Sequence, residues 1–121
     1  MFYIADNGII KLHAGDSGNF HFQINIGSTI NPQPYALQAN DKIYFSVMEP
    51  NQPFELGVLR KILTVDDLID ETTINIQFIT EDTERLIPGI YYYEMKLVLI
   101  DNEENTHYYT ICPKTKFYIL D

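Results

Sequence analysis

Apolar and polar residues alternate along most of this chain, and a period of two is the mark of strands buried on one face. In "NFHFQINI", residues 19–26, Phe20, Phe22, Ile24 and Ile26 fall on one side and His21, Gln23 and Asn25 on the other. "DKIYFSVME", residues 41–49, sets Ile43, Phe45 and Val47 against Tyr44, Ser46 and Met48. "TTINIQFIT", residues 72–80, puts Ile74, Ile76 and Phe78 together, with β-branched residues favouring extended backbone. From residue 91 onward Tyr91, Tyr93, Met95, Leu97 and Leu99 share one face, so Tyr91 and Tyr93 are predicted core and Tyr92 is predicted exposed. A first strand is expected at about residues 9–13. "VLRKILT", residues 58–64, reads as a further strand whose pairing partner the pattern leaves open.

Turn chemistry separates these runs. "AGDSGN", residues 14–19, has the glycines and the Asp of a hairpin or tight corner between the first two strands. "NPQP", residues 31–34, and "EPNQP", residues 49–53, read as loops, because proline lacks a ladder donor. Short helical turns fit only "TVDDLIDETT" and "TEDTERL", with Thr64 or Asp66 and Thr80 as N-caps. "DNEEN", residues 101–105, suits a hairpin tip. The sum is an all-β chain, read as one immunoglobulin-like antiparallel β-sandwich of about seven to eight strands over residues 1–121, with residues 1–8 as an N-terminal arm or edge strand. The order Leu86, Gly89, Tyr91 after an acidic turn is that of a tyrosine corner, in which the hydroxyl bonds back to upstream backbone. The triple tyrosine is thereby read as structure and not as a ligand platform, since a platform needs several aromatics on the solvent face of neighbouring strands.

Charge and chemistry narrow the functional classes. Seventeen acidic against eight basic side chains give a net charge of −9, which repels phosphate backbones and anionic lipid, so neither nucleic acid nor membrane is expected as a partner. No apolar run has the length of a bilayer span and the N-terminus has no basic n-region, so no signal peptide is expected. The single Cys112 has no disulfide partner in the chain and reads as a small core residue. His13, His21 and His107 show no metal-ligand spacing, and the acidic clusters do not match a calcium loop, so no metal and no cofactor is expected. Ser17, Ser28 and Ser46 lack a nucleophile-elbow context, and no carboxylate pair is singled out for acid–base work. The expectation is a protein that is not an enzyme, with no catalytic residues.

Taken together, "GDSGNFHFQI", "YALQANDKIYFSV", "LRKIL", "INIQFITEDTERLIPGIYYYEMKL" and "TICPKTKFYIL" resemble the immunoglobulin-like domains of tailed-bacteriophage virion proteins, similar to the N-terminal domain of baseplate upper proteins. The resemblance covers about residues 9–120. Asn40 stands where that family usually has Gly before "DKI", and Ser17 where it often has Thr after "GD"; both keep turn chemistry. The family's module is usually followed by a receptor-facing or oligomerising region, and this sequence is expected to stop with the domain, which leaves tail, neck and capsid-surface positions open alongside the baseplate.

The resemblance implies a structural protein of the virion, made in the host cytoplasm, that assembles or docks among other virion proteins in multiple copies on a symmetric particle. The contact segments expected from the residues are the apolar arm 1–6, with Phe2, Tyr3 and Ile4, and the loop 49–54, with Pro53 and Phe54; Tyr92 is added as an exposed aromatic. Two other classes remain. A carbohydrate-binding module, with a host-surface glycan as partner, needs Tyr35, Tyr44, Tyr92, Tyr108 or Tyr109 gathered on one exposed face. An acidic accessory protein that binds a host protein needs its acids concentrated on one face, whereas the sequence scatters them among turns.

Overall fold

The period-two segments fold as two packed β-sheets in a computed structural model that describes residues 1–4 and 8–121. In chain order the elements are β1 (Phe2–Ile4), β2 (Ile10–His13), β3 (Gly18–Gly27), β4 (Pro32–Pro34), β5 (Lys42–Met48), β6 (Leu59–Leu63), β7 (Thr73–Phe78), the single turn α1 (Thr80–Thr83), β8 (Gly89–Ile100) and β9 (Thr106–Leu120). One sheet has the order β2-β9-β8-β5-β6, and in the other β3 pairs with β1, β4 and β7. The protein is therefore an all-β sandwich.

Nine strands stand among the described residues, more than the expected seven to eight, because two short strands carry no periodic signal. The predicted loop at 31–34 is partly β4, an edge segment in which Pro32 and Pro34 face Gly27 and Asn25 and need to donate little to the ladder. Phe2–Ile4 is β1, paired antiparallel with Ile24–Ile26 of β3. The arm is thus an edge strand over residues 2–4, while Ala5 and Asp6, also placed in it, lie outside the described residues. Of the two readings of residues 14–19, hairpin or tight corner, the structure has the corner. It carries the chain from β2, in the five-stranded sheet, to β3 in the other, and β2 pairs in parallel with the last strand, Ile10 opposite Phe117. Val58–Thr64 acquires a definite partner, since Leu59–Leu63 runs antiparallel to Ile43–Val47.

Alternation predicts the core well in β5, β7 and β8, where Ile43, Phe45, Val47, Ile74, Ile76, Phe78, Tyr91, Tyr93, Met95 and Leu97 are all buried. It misses in β3, where Ile26 is 36% exposed and Asn25 only 6%, because this end of the strand lies between β1 and β4 at the limit of the inter-sheet space. Two consecutive buried residues, Ile111 and Cys112, mark a register shift between β8 and β9, where Met95 faces Cys112 but Tyr93 faces Thr115. Pro113 is accommodated at that bulge. Tyr92 is half-buried and not fully exposed.

The helical turns are capped by side chains. Thr64 is an N-cap as expected, its hydroxyl accepting from Asp66 N at 3.3 Å while Asp67 accepts from Thr64 N at 2.9 Å. At α1 the cap is Ile79 and not Thr80; Asp82 accepts from Ile79 N at 2.9 Å and supplies the satisfaction an aliphatic cap lacks.

The 49–57 loop folds onto the outer face of the five-stranded sheet and is pinned there by one buried bond, from Ser46 Oγ to the Phe54 carbonyl at 2.7 Å. Gly57 permits that approach, since a Cβ at this position would lie 2.0 Å from Ser46 Oγ and 2.7 Å from the Val47 carbonyl. Gly57→Ala is expected to lower stability by about 1–3 kcal/mol through overpacking. Urea denaturation checks it against Gly8→Ala, where a Cβ meets nothing within 4 Å and the midpoint should stay put.

Candidate functional site

The residues singled out in the sequence divide among three regions. At the corner before β8, Tyr91 Oη donates to the Ile87 carbonyl at 2.6 Å, with Leu86 packed against the core and Gly89 opening the strand. Burial, with the charge of Glu49 nearby, holds the Tyr91 phenol above its ordinary pKa and keeps it a donor. The neighbouring Tyr93 is fully buried and donates to the Gly8 carbonyl at 2.7 Å, tying residue 8 to the centre of the core. Ile87 and Ile90 remain 78% and 49% exposed beside this corner.

The N-terminal strand offers less free apolar surface than its composition suggests. Ile4 is buried, Phe2 packs edge-on against Tyr35 and against Tyr109, and Tyr3 Oη donates to the Ser28 carbonyl at 3.0 Å. Phe54 is likewise turned inward at 7% exposure, while Pro53 stays exposed. Ile4 and Phe54 thus pack within the molecule, and Phe2 does so in part.

A concavity of about 630 Å³ opens at one end of the sandwich between residues 35–41 and the β8–β9 turn. Several of its polar groups are engaged with one another. Tyr35 Oη donates to Asp41, which also accepts from Gln38 N at 2.9 Å. Asp101 accepts from Glu103 N and Asn105 N, both at 2.9 Å, and meets His107 Nε2 at 2.9 Å. These contacts lower the Asp101 pKa, the His107 hydrogen bond foremost, so its carboxyl is ionised at neutral pH and acts as the organiser of an exposed turn. Among the described residues, no three His, Cys, Asp or Glu side chains converge as metal ligands. Cys112 is fully buried, and desolvation raises its thiol pKa, away from the reactive thiolate.

The distribution of charge is the feature that sequence reading missed. Seven of the eight Lys and Arg, namely Lys11, Lys42, Arg60, Lys61, Lys96, Lys114 and Lys116, sit in strands of the five-stranded sheet, whose strands hold one carboxylate, Glu94. The strands of the other sheet hold no Asp, Glu, Lys or Arg. Among the described residues the remaining acids lie in turns and connections and at the C-terminus. Alternation turns Lys11, Lys42, Arg60, Lys96 and Lys116 to the outer face, where Tyr44, Tyr92 and Tyr108 join them.

No protein-family model matches this chain, and no curated protein matches it. Its surface must therefore be read from its own chemistry. The exposed or half-exposed tyrosines do not form one platform: Tyr35 and Tyr109 lie at the open end against Phe2, Tyr44 and Tyr108 on the outer face, and Tyr92 further along that face opposite Met48. A linear signal for the cationic face existed in the basic residues of "LRKIL", "EMKL" and "KTKF", but only pairing puts them on one sheet.

Tyr91→Phe removes the hydroxyl that satisfies the Ile87 carbonyl, and the expected cost is about 0.5–1.5 kcal/mol with the sheet content unchanged. Urea denaturation followed by far-ultraviolet circular dichroism measures both quantities.

Proposed function

We propose that the chain is a non-enzymatic, immunoglobulin-like structural domain of a tailed-phage particle, acting in assembly or docking among other virion proteins. The topology supports the fold part of this reading. Assigning β3, β5, β6, β7, β8 and β9 as strands B, C, C′, E, F and G gives a sheet of G, F, C and C′ facing one built on B and E, the arrangement of the variable-type sandwich. The Tyr91 hydroxyl bond lies at the E–F corner of that assignment, where such sandwiches carry a tyrosine.

The docking part rests on one observation, the segregation of charge. A chain of net charge −9 that turns five cations, one carboxylate (Glu94) and three tyrosines to one sheet face, and puts its other described acids into turns and at the C-terminus, offers two surfaces of opposite sign. Complementary potentials of this kind steer encounter and fix register between packed subunits, and many copies on a symmetric particle add avidity. The outer face also exposes Ile62 and Tyr108, each 62% accessible, the apolar component that a protein contact buries. Recognition of a neutral glycan is less well supported, because Tyr35 and Tyr109 lie at the open end, away from Tyr44, Tyr92 and Tyr108, and the face that holds those three is charged.

Mass spectrometry of purified phage particles encoding this chain tests the reading. The chain is expected at stoichiometric copy number relative to a major tail or capsid protein, in multiples of three or six for a tail position. Absence from washed particles overturns it.

A further inference from the structure

On the outer face of the five-stranded sheet, Tyr44, Phe54, Glu55, Arg60, Lys96 and Tyr108 surround a concavity of about 330 Å³. Its floor is the Phe54 ring, seated there by the Ser46 bond described above. Lys96 Nζ lies 4.6 Å and the Arg60 guanidinium 5.9 Å from the centre of that ring. Among the described residues neither cation has a carboxylate within 4.0 Å, although the chain has a large excess of acids; Lys61, one residue from Arg60, does pair with Asp82 at 2.9 Å. Two like charges converge on one ring and leave their anionic valence unfilled, beside the exposed Tyr108 and the half-buried Tyr44. A carboxylate entering between them would form charge-assisted bonds to both.

The same molecule carries a group shaped to enter. β5 pairs with β8 only as far as Val98, while the β8–β9 hairpin continues through Ile100 and Thr106. The turn beyond is a narrow acidic projection. Asp101 is occupied in closing that turn through its bonds to Glu103 N, Asn105 N and His107. Glu103 and Glu104 are exposed, with Glu104 held at a φ of 64° by the turn, and neither side chain has a hydrogen-bond or ion-pair partner among the described residues. Ile100, 49% exposed, stands at the base of the projection.

We propose that the concavity around Arg60 and Lys96 is a socket for the Glu103–Glu104 turn of a second copy of this chain. Charge decides the geometry. Laying socket on socket would bring two cationic faces together, so the socket of one copy takes the turn of the next. Such a heterologous contact leaves one socket and one turn unused at each step, and it closes into a ring or extends as an array according to the rotation per copy. This deepens the docking reading above by naming one contact and its partner, yet it concerns the isolated chain, so each can fail without the other.

Sedimentation velocity on the purified full chain over a range of protein concentrations, at low and at high salt, tests it. Reversible association that weakens with salt is expected. Arg60→Met/Lys96→Met keeps the apolar stems over Phe54 while removing the charges, and Glu103→Gln/Glu104→Gln neutralises the turn. Each double variant is expected to weaken association about tenfold or more while leaving the melting temperature of the monomer near that of the parent. An equimolar mixture of the two variants is the decisive arm, because one supplies an intact turn and the other an intact socket; it should form a one-to-one complex and nothing larger. A parent chain that stays monomeric at every concentration overturns the proposal, as does association that ignores salt or both variants. A mixture that fails to pair also overturns it.

Discussion

The structure depends on an aromatic cluster that joins the two sheets. Phe45, Tyr93 and Phe117 come from β5, β8 and β9 of one sheet, and Phe20 and Phe78 from β3 and β7 of the other. Ring centres lie 5.7 Å apart for Phe45 and Tyr93, and 5.8 Å apart for both Phe45 with Phe78 and Phe78 with Phe117, mostly in edge-to-face or tilted geometry. Such pairs add about 0.5–1.5 kcal/mol each beyond the area they bury. The cluster also explains the triple tyrosine: Tyr93 fills the centre and uses its hydroxyl on Gly8, Tyr91 anchors the corner on Ile87, and Tyr92 points to the other face. The buried aliphatic residues of both sheets pack around these rings.

A firmly held interior leaves the outside free to specialise. The five-stranded sheet uses its outer face for cations and tyrosines, and the loop 49–57 converts part of that face into a shaped surface. Ser46 is the hinge of the arrangement, because a buried hydroxyl must find an acceptor and the Phe54 carbonyl is where it finds one. The same bond that satisfies Ser46 places the Phe54 ring beneath Lys96 and Arg60. A core requirement therefore sets the position of surface chemistry. The acids, in contrast, sit where the chain turns, and several of them close turns: Asp67 at Thr64, Asp70 at Thr72 and Thr73, Asp82 at Ile79, and Asp101 at the hairpin tip. Those not so employed give the ends of the sandwich their negative sign.

The proposed particle role and the proposed head-to-tail contact use this division in the same way. A rigid sandwich positions two surfaces of opposite charge at a fixed distance from one another. The acids scattered among turns along the sequence, and the net charge of −9 they produce, supply the anionic groups that the proposed contact places against the cationic face of another copy.

Strand identity was legible wherever a single residue's face follows from its neighbours. Ile43, Phe45 and Val47, or Tyr91, Tyr93 and Met95, alternate because one side of a pleated strand must leave water, and that constraint is local. The helical cap at Thr64 was legible for the same reason, being a bond between residues three positions apart. What could not be read is everything that depends on which strands meet. The parallel pairing of Ile10 with Phe117, the choice of an edge strand over a free arm at Phe2–Ile4, and the edge role of Pro32–Pro34 are decided by pairing with other strands. The cationic face belongs to this second class. The sequence by itself determined the net charge, the sandwich periodicity and the turns; only tertiary pairing, by laying five separate strands side by side, decided that the cations would share one surface.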